Sequence, residues 1–127
     1  MSKKIRVLVI GCGNMGASHA TAYHNHEGFE ICGLVSRGES KNILNTSLSS
    51  NYHTFSDYKL AISETNPDAV CISTYPDTHE EISLHALDNN CHIFLEKPIA
   101  ADLVGSRKII NKAEEVNKKL VVGYILR

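Results

Sequence analysis

"IRVLVIGCGNMG", residues 5–16, decides the fold. Ile5 to Ile10 form a short strand-like run rich in Val and Ile, the composition of a strand in a parallel sheet covered on both faces. Gly11, Gly13 and Gly16 follow at G-x-G-x-x-G spacing, and residues 14–26 read as a helix. In a strand, glycine turn and helix of this kind, the first glycine permits the tight turn and the second lets the backbone approach a pyrophosphate. The third lets helix and strand pack closely. The helix start behind them offers unpaired N–H groups and a partial positive charge to phosphate. Gly11, Gly13, Asn14, Met15 and Gly16 are therefore the first candidates for dinucleotide binding.

Outward from this turn, β-branched runs and helical stretches alternate to the end of the chain. "FEICGLVS" (29–36) is a second strand, and 39–50 is weakly helical with Ile43, Leu44 and Leu48 on one side. A short strand near Tyr52 to Phe55 precedes a helix from Asp57 to Glu64. "DAVCIST" (68–74) is the fourth strand, 77–89 a helix, and "HIFLE" (92–96) the fifth strand. Asn89 and Asn90 supply the left-handed turn between them. Asp102 caps a helix whose Leu103, Ile110, Ala113 and Val116 recur at helical spacing, and "KLVVGYI" (119–125) is the sixth strand. Strands joined by crossover helices imply a parallel sheet covered on both faces. The expectation is one α/β domain over residues 1–127, doubly wound in the Rossmann manner.

The end of the second strand, about 20 residues past the third glycine, reads the adenosine ribose. NAD sites usually place Asp or Glu there; this chain has Ser36 and Arg37. A carboxylate repels a 2′-phosphate, whereas a hydroxyl and a guanidinium both donate to it, so NADP is favoured over NAD. A solvated Arg37 beside bound NAD is the alternative, and nearby Glu39 keeps it open.

Composition excludes other classes. Thirteen basic and fourteen acidic residues leave a net charge of −1, so no global field draws the chain to nucleic acid or an anionic membrane. No apolar run approaches the roughly 20 residues that cross a bilayer, and "MSKKIR" leads straight into a strand, so a cytoplasmic location is expected. Cys12, Cys32, Cys71 and Cys91 are widely spaced without a C-x-x-C pair and read as reduced, packed thiols. His19 and His26 can share a helix face, but no carboxylate or cysteine at ligand spacing joins them, so no metal site is expected. Tyr23, Tyr52, Tyr58, Tyr75 and Tyr124 have no Lys four residues on, which excludes Y-x-x-x-K chemistry.

Three stretches carry a family resemblance: "GCGNMGASHATAY" at the first turn, "STYPDTHEE" after the fourth strand and "FLEKPIA" after the fifth. Together with "VVGYILR" at the end, they resemble the glucose–fructose oxidoreductase, inositol dehydrogenase and rhizopine-catabolism (Gfo/Idh/MocA) family along essentially the whole chain. The resemblance implies nicotinamide-dependent hydride transfer to or from a sugar, polyol or related hydroxy or carbonyl compound. It also implies that Thr74, Tyr75 and Pro76 line the cofactor crevice with His79, and that Glu96 and Lys97 lie beside the nicotinamide ribose and substrate. Many members have proline where this chain has Tyr75.

The residues give the last pair a physical reading. Ligands of open α/β sheets lie beyond the carboxyl ends of the strands, where Glu96 and Lys97 emerge. An ammonium held there donates to a reacting oxygen and offsets alkoxide charge, which makes Lys97 the candidate catalytic residue. Pro98 restricts Lys97 to extended geometry, and Lys97–Pro98 is the first candidate for a cis peptide.

The family joins such a domain to a larger α/β substrate domain, for which residues 1–127 hold no segment. The expectation is a cofactor-binding half that takes a small-molecule substrate only in a two-domain form. A stand-alone nucleotide-binding or sensing module is the alternative. Apolar surface left without that second domain would favour self-association.

Overall fold

The Val- and Ile-rich run near the start of the sequence forms β1 (Ile5–Ile10), and the later strands join it in a single parallel sheet. The computed structural model describes residues 3–123. In chain order the elements are β1, α1 (Asn14–Asn25), β2 (Phe29–Val35), α2 (Ser40–Ser47), β3 (Thr54–Phe55) and α3 (Tyr58–Thr65). They continue with β4 (Ala69–Ile72), α4 (Pro76–Asp88), β5 (His92–Glu96), α5 (Leu103–Glu115) and β6 (Leu120–Gly123). The six strands lie in the order β3-β2-β1-β4-β5-β6. The order reverses between β1 and β4, and a crevice opens there at the carboxyl ends of the strands.

Two apolar layers flank the sheet. Leu8, Ile10, Val70, Ile72, Ile93 and Leu95 pack against Ala61 and Ile62 of α3, Ile82 and Leu87 of α4, and Ile109 of α5. Val7, Val9 and Cys71 alternate with them and face Ala20 of α1 and Leu44 of α2. Ile31 and Leu34 of β2 belong to this second layer despite an odd spacing. The reason is a bulge: Val7 pairs with Ile31 but Leu8 with Gly33, so Cys32 is the extra residue.

The helix ends follow from local chemistry. Asp57 and Asp102 cap α3 and α5, accepting from the N–H groups of Lys59 and Gly105. Asn66, Asn90 and Asn117 take positive φ just beyond α3, α4 and α5, the conformation Asn tolerates best after Gly. Asn89, also expected in the left-handed turn, stays at φ −103.

Two helix faces differ from expectation. In α5 the buried residues are Gly105, Ile109 and Ala113, while Leu103 and Ile110 are exposed. The i, i+4, i+8 stripe won because Gly105 lets α5 approach α4: a Cβ there would lie 2.5 Å from Glu80 Oε1. In α2 the inward hydrophobic residue is Leu44, with Ile43 in solvent. The predicted strand at 119–125 runs in part outside the described residues, as does the rest of "VVGYILR" after Gly123. No helix among the described residues is long and apolar enough to cross a membrane. The four cysteines are free thiols.

Candidate functional site

β1 ends in a turn that only glycine can make. Gly11 has φ +97, and a Cβ there would lie 2.5 Å from the Ser73 carbonyl oxygen at the end of β4. A Cβ on Gly16 would lie 1.8 Å from the Gly11 carbonyl oxygen, so α1 packs directly on the turn. Gly13 differs: its missing Cβ would meet nothing within 4 Å. Gly13 is also the N-cap of α1 and supplies no side-chain cap, and the first turn of α1 has no acidic residue. The N–H groups there are left for a ligand, in backbone that a phosphate can approach closely.

A cleft of about 800 Å³ opens from this turn. Gly11 and Gly13 line it with Ser36 and Arg37 of the β2–α2 loop and Thr74 and Tyr75 of the β4–α4 loop. Its far wall adds Ser56, Asp57 and Tyr58, where Tyr58 donates to Glu81 Oε2 at 2.6 Å. Burial raises the Tyr58 hydroxyl above the ordinary tyrosine range, and the adjoining carboxylate raises it further. Cys12 is buried at the turn, and loss of solvent pushes its thiol up to about 11, so it is a packed, protonated group.

The first turn of α2 holds a residue that the sequence reading passed over. Lys41 is buried, and its Nζ donates to the carbonyls of Ser36 at 2.9 Å and Gly38 at 2.6 Å. Ser36 Oγ donates to the Gly38 carbonyl and accepts from the Lys41 N–H, so its proton is committed to the loop. That revises the expectation that Ser36 donates to a phosphate. Glu39 is turned toward α2, accepting from Asn42 at 2.9 Å. Arg37 lines the cleft exposed, with no hydrogen bond or ion pair among the described residues.

The remaining expected site residues divide. Thr74 Oγ1 lies 2.6 Å from Thr78 Oγ1 on the cleft wall, and Tyr75 is 75% exposed at its mouth. Pro76 takes the first position of α4, where no N–H is needed, and is not part of the cleft wall. Asn14 and Met15 lie in the first turn of α1, also outside that wall.

His79 does not reach the cleft. It is 0% exposed, with Nδ1 2.8 Å from the Pro98 carbonyl and Nε2 3.0 Å from the Thr74 carbonyl. The expectation of cofactor contact fails because His79 lies a turn into α4, on its sheet-facing side. Glu96 is likewise drawn inward: its Oε2 lies 2.5 Å from His19 Nε2 of α1, and the His19 ring meets Phe94 edge-on at 4.8 Å. His19, considered above as a metal ligand, thus has a carboxylate partner, but no group of three ligating residues forms among the described residues. Lys97 is exposed at the tip of β5, and the Lys97–Pro98 bond is cis.

A parallel sheet with this strand order, a glycine turn and a cleft at the switch point define a Rossmann-type dinucleotide-binding domain. The chain belongs to the Gfo/Idh/MocA oxidoreductases: residues 5–124 match that family's model, described as oxidoreductase family, NAD-binding Rossmann fold. It is 29% identical over its whole length to an inositol 2-dehydrogenase of Corynebacterium glutamicum, of which it covers 38%. It is 30% identical over 97% of its length to an inositol 2-dehydrogenase/D-chiro-inositol 3-dehydrogenase of Lacticaseibacillus casei, covering 36% of that protein. Among solved structures it is similar to scyllo-inositol dehydrogenase from Lactobacillus casei with bound NAD(H) and scyllo-inositol. There the TM-score is 0.87 and the identity 23%, covering 95% of this chain and 36% of that one. The chain therefore spans somewhat over a third of the length of these relatives.

Proposed function

We propose that this domain binds a nicotinamide dinucleotide across the switch-point cleft, with NADP preferred, and serves hydride transfer to or from a polyol or sugar-like substrate. The observation that carries the reading is the turn at Gly13, uncapped and open to the cleft, beneath a wall that includes the exposed guanidinium of Arg37. Arg37 and the ammonium of Lys41 place two positive charges at the ribose end, while Glu39 is occupied by Asn42. Electrostatics of this sign favours a 2′-phosphate over a bare hydroxyl.

The dinucleotide, when bound, supplies or accepts the hydride. The chain's own part is to orient it: Gly11, Gly13 and Gly16 with the start of α1 hold the pyrophosphate, and Thr74 and Tyr75 bound the opposite wall. Lys97 is the catalytic residue in this reading, donating to the substrate oxygen where charge develops. The inositol dehydrogenases among its relatives support a polyol substrate, which a further domain would help to bind. Reduced, buried thiols fit a cytoplasmic setting.

Calorimetric titration with NADPH and NADH tests this. NADPH should bind more tightly, and Arg37→Asp should weaken NADPH far more than NADH. Equal losses would refute the phosphate role of Arg37, and no binding of either nucleotide would refute the reading.

A further inference from the structure

The most unusual polar group in the molecule is the imidazole of His79. It is fully buried, and each ring nitrogen faces a backbone carbonyl oxygen: Pro98 at 2.8 Å and Thr74 at 3.0 Å. A carbonyl only accepts, so each contact is a hydrogen bond only if the nitrogen brings a proton. A neutral imidazole has one N–H and the imidazolium two. In the neutral ring one of the contacts becomes a lone pair facing a lone pair, with no solvent to relieve it.

The two carbonyls belong to segments that matter to the site. Thr74 lies on the cleft wall at the end of β4, and Pro98 follows Lys97 in the turn after β5. We propose that His79 is a positioning residue, a two-donor clamp that ties the Lys97 turn to the cleft wall. The clamp is complete only as the imidazolium and makes the setting of Lys97 depend on pH. Its importance for hydride transfer rests on the function proposed for Lys97; the clamp itself does not.

Asp77 of α4, Arg107 of α5 and Lys59 and Glu64 of α3 make no hydrogen bond to the His79 ring, and other charged groups on the elements around it are paired elsewhere. On α4, Glu80 pairs with Lys108 of α5, and Glu81 accepts from Tyr58 of α3. Asp102 accepts from Gly105 at the start of α5. Glu96 of β5 is turned to His19, and Cys71 of β4 lies in the apolar layer on the α1 side of the sheet. None of these is a hydrogen-bond partner of the His79 ring, whose hydrogen-bonding contacts among the described residues are the two carbonyls.

The test is nitrogen NMR of the isotopically labelled chain, following both His79 ring nitrogens and the amides of Thr74, Lys97 and Ile99 as pH is raised. The expected result is a ring with two N–H groups at the acid end. The Lys97 and Ile99 amide signals then shift in step with loss of the second proton. A ring with one N–H throughout the folded range, or turn amides indifferent to the ring, overturns the proposal. His79→Gln, which cannot titrate, should abolish the coupled shift; its persistence in the folded variant also overturns it. Should that variant not fold, the wild-type titration decides alone. Adding NADPH or NADH to the same sample keeps the readings apart, since failure to bind counts against the nucleotide site and leaves the ring's proton count untouched.

Discussion

His19 Nε2 lies 2.5 Å from Glu96 Oε2, joining the middle of α1 to the last residue of β5 across 77 positions of sequence. The contact explains why a strand core can end in a carboxylate. Glu96 is nearly buried, and His19 supplies the donor that burial would otherwise remove.

His19→Ala should therefore leave a buried carboxylate without a partner and cost about 1–3 kcal/mol of stability. Urea unfolding measures the loss. Adding Glu96→Gln to that variant should cost less than Glu96→Gln alone, because the two side chains act as one unit. Strictly additive losses would show that the contact contributes nothing.

The glycine turn separates folding from binding. Gly13→Ala adds a methyl to open space and should cost no more than about 1 kcal/mol of stability, the modest loss of Ala for Gly at an N-cap. That methyl projects where a phosphate would approach, so nucleotide affinity should fall at least about tenfold, or 1.4 kcal/mol. Gly16→Ala instead forces a Cβ to within 1.8 Å of the Gly11 carbonyl and should destabilise the fold itself. The cost is about 1–3 kcal/mol or more, as for overpacked sites. Thermal melts with calorimetry distinguish the two; unaltered nucleotide binding by Gly13→Ala would remove the pyrophosphate from this turn.

What the sequence made legible here is periodic or local: strands as β-branched runs, the glycine turn as a fixed spacing, the Asp102 cap as one residue before a helix. What it hid depends on packing between distant segments. Lys41 reads as an ordinary surface lysine until the loop folds back and offers it the Ser36 and Gly38 carbonyls. His19 and Glu96 show no common pattern, because their contact needs the α1–β5 geometry. Adjacent apolar residues in α2 and α5 gave no way to choose the inward one, which the approach of neighbouring elements decides. The resemblance set His79 at the crevice, yet burial and two carbonyl partners hold it behind the wall.

Alkaline pH should unfold the domain through its thiols. Burial pushes Cys12 and Cys91 up to about 11 and Cys71 to about 12, from 9.0 when solvated. Between those values the unfolded chain loses protons that the folded chain keeps, so stability falls as pH rises. Stability is unaffected by these groups below pH 9.0 and declines through about 11 to 12. Tyr23 and Tyr58, also raised by burial, act in the same direction. Urea midpoints measured at rising pH should show the decline begin near the solvated thiol value; a level curve through the alkaline range would contradict this burial.

Lys41→Met tests the cation that the first turn of α2 tucks under the β2–α2 loop. The methionine keeps an apolar stem in the buried position but removes the donor held by the Ser36 and Gly38 carbonyls. Two consequences should appear together. The loop loses charge-assisted hydrogen bonds of about 1.5–3 kcal/mol each at most, so the variant melts earlier. The ribose end also loses one of its two positive charges, so NADPH affinity should fall more than NADH affinity and its salt dependence should weaken. Arg37→Asp leaves the loop's internal hydrogen bonds in place and should shift the NADPH to NADH ratio without the same loss of thermal stability. If Lys41→Met weakens both nucleotides equally, Lys41 shapes the loop and Arg37 alone reads the phosphate. If neither variant changes the ratio, the cleft does not discriminate at the 2′ position, and NAD serves as well as NADP.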